Sequence, residues 1–136
     1  MKARILIAIS LLLAMSSVAQ AKPYLNDYVG SEVAATCATQ TGWGYNGRSA
    51  AEQKIPVETV LKDINSKFPD RMTRQVYQWY TMAIASAEGG YKTDMPSKDI
   101  YYKLMQECVE AVGVKLSKEK IDEIRGEPLT PYVPYE

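Results

Sequence analysis

The chain has 136 residues, with 16 basic and 16 acidic side chains, two cysteines and no histidine. The missing histidine excludes Ser-His-Asp and Cys-His catalysis and removes the commonest zinc ligand. No run of like charges supplies the basic stripe that a nucleic-acid binder needs.

Residues 1–21 read as a secretory signal peptide. Lys2 and Arg4 form a positive start, Ile5 to Ala14 is a short apolar run, and Ala19 and Ala21 make a small-residue cleavage site before Lys22. The run is shorter than the roughly 20 residues a membrane helix requires, so no stable membrane span is expected after cleavage. Loss of Lys2 and Arg4 leaves 14 basic against 16 acidic residues, a net charge of −2. About 115 residues then remain, enough for one helical domain over 22–126 and a Pro/Tyr-rich tail over 127–136.

The first helical segment runs from about Asp27 to Lys54. Its "SEVAATCATQ" half is strongly helical in composition, and "GWGYNG" follows at Gly42–Gly47. That stretch matches G-x-G-x-x-G, but the dinucleotide fingerprint has meaning only between a buried strand and a helix. Alanine-rich helix precedes it here, so the glycines are read as punctuation or packing. Either one helix runs through them or it breaks near Gly42 and resumes around Ser49; the continuous helix is favoured. Ala34, Ala38 and Gly42 would then form a row of small residues open to a close neighbour.

The next segment, "PVETVLKDINSKF", puts Val57, Val60, Leu61, Ile64 and Phe68 on one face, with Pro56 in the first turn. In "DRMTRQVYQWYTMAIASAEGG" the stripe is Met72, Val76, Trp79, Tyr80, Ala83, Ile84 and Ala87, with Asp70 to cap it and Gly89 to end it. "SKDIYYKLMQECVEAVG" repeats the pattern, with Ser97 as cap and Gly113 as stop. Ile100, Tyr101, Leu104, Cys108 and Val112 are its inward residues. A last short helix is capped by Ser117, stapled by Leu116 on Ile121, and ended by Gly126 and Pro128. The fold class is therefore all-α: a compact bundle of four to five helices.

Cys37 and Cys108 each sit one turn after an apolar residue, Val33 and Leu104. In an oxidising compartment such a pair forms a disulfide. Glu107 and Glu110 flank Cys108 and are the wrong neighbours for a reactive thiolate. The bond should staple the bundle and bring the Cα atoms within about 7 Å.

The chain carries ten tyrosines and one phenylalanine. Tyr77, Tyr80, Tyr101 and Tyr102 are read as flanking the core. In the tail, "PLTPYVPYE" places Pro128, Pro131 and Pro134 on one face of a polyproline II helix and Leu129, Tyr132 and Tyr135 on another. Those three are the candidate partner-binding residues. The tail packs back on the domain, reaches for a partner, or frays. With three backbone donors removed by proline, it is expected to be separable: ending the chain after Gly126 should leave the thermal midpoint within a few degrees.

One carboxylate suggests chemistry. "ASAEGGYK" with "KLMQ" downstream resembles the region of lytic transglycosylases in which a helix-borne glutamate precedes a Ser-Gly turn and a Leu-Met-Gln. The resemblance covers about twenty residues and implies a cell-wall glycosidase that would use Glu88. The sequence departs from it in lacking the Ser-Gly turn and in having Lys103 before Leu-Met-Gln.

In its signal, length and cysteines in the first and last main helices, the chain also resembles small exported, all-helical, single-disulfide bacterial proteins. That group includes uncharacterised families, periplasmic acid-stress chaperones and periplasmic immunity proteins. With no catalytic constellation, no metal set and no basic surface, yet many tyrosines, the leading reading is a periplasmic or secreted, non-catalytic protein that binds another macromolecule, for example as an inhibitor or immunity factor. Its expected partner is another protein of the periplasm or envelope, with no cofactor, no metal and no nucleic acid. A cell-wall glycosidase using Glu88 and a structural envelope component are the alternatives.

Overall fold

The computed structural model describes residues 24–135, and the expected signal peptide with its cleavage site lies outside them. Within them the chain is all-helical, and one disulfide joins Cys37 to Cys108. A short α1 (Leu25–Val29) comes first, its start tied by the Tyr24 N–H donating to the Asp27 carboxylate at 3.0 Å. Gly30, at φ +80°, then turns the chain into α2.

Helix α2 (Ser31–Glu52) is continuous through the glycines, and at about 1.5 Å per residue it is roughly 33 Å long. Its buried residues, Cys37, Thr41, Gly44, Tyr45, Gly47, Ser49 and Ala50, lie on several sides. That is the pattern of a central helix with neighbours around it rather than a surface helix with one apolar stripe. It packs against α1, α3 (Val57–Lys67), α4 (Arg74–Lys92) and α5 (Ser97–Glu110).

The closest of these contacts is with α4. A Cβ at Gly47 would overlap the Ala87 carbonyl, and one at Gly90 would overlap the Gly44 carbonyl. The two backbones meet with no side chain between them. The small-residue row expected at Ala34, Ala38 and Gly42 is not the contact: Ala38 is exposed, and a Cβ at Gly42 would have no neighbour within 4 Å. The same contact explains why α4 runs past Gly89 to Lys92 instead of ending there. Gly90 serves interhelical approach, and that packing offsets the roughly 1 kcal/mol a glycine costs inside a helix.

Helix starts follow the expected chemistry with local shifts. Thr73, not Asp70, caps α4, its hydroxyl accepting from the Val76 N–H at 3.3 Å. Ser97 is the first residue of α5 rather than its cap; its N–H donates to the Glu52 carboxylate at 2.8 Å, so the end of α2 caps α5. The buried face of α5 is Ile100, Met105 and Val109, rotated from the expected stripe, and Val112 is exposed. Helix α6 (Lys118–Arg125) is capped by Ser117, with Leu116 and Ile121 buried together, and ends at Gly126 in the left-handed region at φ +77°.

Two apolar clusters result. One gathers Ala50 of α2, Val60 and Ile64 of α3, and Ala83 and Ala87 of α4. The other gathers Cys37, Met105, Val109, Leu116 and Ile121. The disulfide, with Cα atoms 5.6 Å apart, lies in the second. The first is completed by Tyr132, only 6% exposed. The tail thus packs back on the domain as a strap whose aromatic residue is part of the core, which argues against the separability that the prolines suggested.

Candidate functional site

The strap leaves α6 at a fixed point. Arg125 donates to the Asp122 carboxylate at 2.7 Å and to the Glu127 carbonyl, and its guanidinium lies 5.0 Å from the centre of the Tyr101 ring. The Tyr102 hydroxyl donates to the same Asp122 oxygen at 2.5 Å. These bonds, Tyr102 first, hold the Asp122 carboxyl below the usual carboxylate range.

Beyond Pro128 the strap crosses α2. Tyr45, Ser49 and Gln53 follow one another at four-residue spacing, so they form one row along the helix. The Tyr45 hydroxyl donates to the Thr130 carbonyl at 2.6 Å. The Ser49 hydroxyl oxygen accepts from the Tyr132 N–H at 2.9 Å, and the Gln53 side-chain amide donates to the Tyr132 carbonyl at 3.0 Å. The row therefore satisfies the backbone of an extended segment that has no strand to pair with. Burial pushes the Tyr45 hydroxyl above the ordinary tyrosine range, so it remains a donor.

The Tyr132 ring enters between α2, α3 and α4, and its hydroxyl donates to Asp63 Oδ2 at 2.5 Å. Asp63 is 2% exposed. Its other oxygen lies 3.5 Å from the Lys67 ammonium, one turn along α3, and has no hydrogen-bond donor among the described residues. Burial, and then the bond to Asp63, drives the Tyr132 hydroxyl well above the ordinary tyrosine range. The Lys67 ammonium also lies 5.1 Å from the centre of the Trp43 ring and 5.9 Å from that of Tyr135.

The three tail residues expected to share a face do not. Tyr132 is buried, Leu129 is half-buried, and Tyr135 is 68% exposed beside Val133 at 80%. Tyr45, Ser49, Gln53 and Asp63 were missed as a site. The available signal was Asp63 itself, a carboxylate bordering the Val60–Ile64 stripe in a chain rich in tyrosine hydroxyls.

Glu88 is elsewhere. It lies half-buried at an open depression of about 530 Å³ whose walls include Leu61, Asn65, Tyr80 and Ile84, and among the described residues no second carboxylate lines it. Tyr80 donates to Asn65 across it at 2.5 Å. Glycosidases that use carboxylates place two of them about the scissile bond. Among the described residues no three acidic or cysteine side chains cluster to hold a metal ion. Compared with known proteins, the chain matches no family model, no curated protein and no solved structure.

Proposed function

We propose that this is a non-catalytic periplasmic or secreted protein that binds another protein, as an inhibitor or immunity factor, and that the docked strap is its contact surface. The observation that carries the reading is the division of labour within the strap. Tyr132 is locked into the core, while Val133 and Tyr135 on either side of Pro134 stand in solvent. A segment fixed in this way has already lost its conformational freedom, so its exposed apolar groups bind without a further ordering cost. Tyrosine at such a position offers contact area with a polar tip. The disulfide suits an oxidising compartment, and no helix among the described residues is long and apolar enough to cross a membrane.

The test is a Val133→Asp, Tyr135→Ala double variant compared with the unaltered protein as bait in periplasmic extract. The variant should melt at the same temperature and lose at least about tenfold in affinity for the captured partner, the loss of a modest interface anchor. Unchanged capture would remove the strap from the interface. Peptidoglycan turnover by the protein, abolished by Glu88→Gln, would replace the reading with a glycosidase.

A further inference from the structure

We infer that the dock of Tyr45, Ser49, Gln53 and Asp63 is a peptide-recognition groove, and that its occupant in trans is the same strap from a second copy of this chain. The inference does not rest on the exposed residues Val133 and Tyr135 being a partner surface. Tyr45 and Ser49 come from α2, Gln53 caps its end and Asp63 comes from α3, and their bonds to the strap span 69 to 85 positions of sequence. None requires strap and dock to belong to the same molecule. What the groove reads is a carbonyl at Tyr45, an N–H and a carbonyl at Ser49 and Gln53, and an aromatic hydroxyl at Asp63. A second copy carries those groups in that register, and exchange of an identical element conserves every contact.

Two further features suit exchange. Pro128, Pro131 and Pro134 hold the free strap in extended forms, so little freedom is lost when it docks. The hinge is short and clear of the core: it starts at the left-handed Gly126, and Glu127 and Pro128 are exposed. The competing occupant is the chain's own strap, present at an effective concentration of the order of millimolar. Copies at micromolar concentration therefore keep their own straps. Exchange takes over where copies are crowded to millimolar levels or where the strap in cis fails.

The full-length Tyr132→Ala variant keeps the dock and loses its own anchor. Titrated with the peptide EPLTPYVPYE, it should gain roughly 10 °C of thermal stability at a hundredfold excess over Kd. The same peptide with phenylalanine as its first aromatic should bind at least about tenfold more weakly, the loss of one hydrogen bond to a charged acceptor. If the variant does not fold alone, the titration is read as recovery of helical circular dichroism. Mixed with full-length Ser49→Val, which keeps the strap and impairs the dock, it should form a one-to-one heterodimer in sedimentation, each variant alone being monomeric. No response to millimolar peptide, or equal binding of the phenylalanine peptide, overturns the groove. Peptide binding without a heterodimer overturns the second copy as its occupant.

Discussion

Removing one oxygen atom from Tyr132 would leave the enclosed Asp63 carboxylate, among the described residues, with the Lys67 ammonium as its one remaining partner. A hydrogen bond to a charged group contributes about 1.5–3 kcal/mol, so Tyr132→Phe should lower the melting temperature by roughly 6–12 °C. Replacing both partners, as Asp63→Leu with Tyr132→Phe, should cost less than either change alone, because no buried charge is stranded. The pH dependence follows from the direction of the tyrosine shift. Its folded pKa is raised above the unfolded value near 10, so its contribution is complete below pH 10 and declines as the pH rises towards the folded pKa. Thermal melts across pH 8 to 12 should show a decline that starts near pH 10 in the unaltered protein and is shallower in Tyr132→Phe. None of this pairing was legible in the chain. Asp63 and Tyr132 stand 69 positions apart, and the pattern of prolines pointed to a detached tail. Proline removes donors, but the strap is held by the carbonyl of Thr130 and by both backbone groups of Tyr132, which proline leaves intact.

At the scale of helices, the glycines separate into two kinds. Gly47→Ala and Gly90→Ala each drive a methyl into backbone, which cannot move aside as a side chain can, and should lower stability by several kcal/mol or prevent folding. Gly42→Ala and Gly89→Ala meet open space in helical backbone and should each stabilise by up to about 1 kcal/mol. Chemical denaturation of the four variants would distinguish the two kinds, and equal effects at Gly89 and Gly90 would contradict the packing described. Much at this scale was readable from local chemistry: the Ser117 cap, the Leu116 staple, the Gly126 stop and the unbroken α2. The end of α4 was not, because Gly90 answers to a carbonyl on α2 and not to its own turn. The rotation of α5 was hidden for a related reason. Helix α5 packs against α2 and α6, so half-buried Tyr101, Leu104 and Cys108 and buried Met105 and Val109 present nearly continuous apolar cover.

Across the whole molecule, two long-range closures hold the chain, one covalent and one through the strap. Reducing Cys37–Cys108 frees a loop of about 72 residues, which in the chain-entropy model removes roughly 4.4 kcal/mol and should lower the melting temperature by about 10–20 °C. Ending the chain after Gly126 should cost a comparable amount, since a buried aromatic ring is worth about 3–5 kcal/mol; a midpoint within a few degrees of the full chain would contradict the observed burial. The fold class and the cysteine pairing were legible because helical periodicity is a local property and two cysteines on apolar stripes allow one intrachain pairing. The strap was not, because only the assembled α2 and α3 create its dock. The burial of Tyr132 also imposes an order in time. A growing chain that already contains the segments of all six helices of the described residues, and both cysteines, still lacks the ring that fills the first cluster and the hydroxyl that bonds Asp63. Because Tyr132 is among the last residues made, the first cluster can be completed only after essentially the whole chain has been synthesised, so this closure follows translation rather than accompanying it.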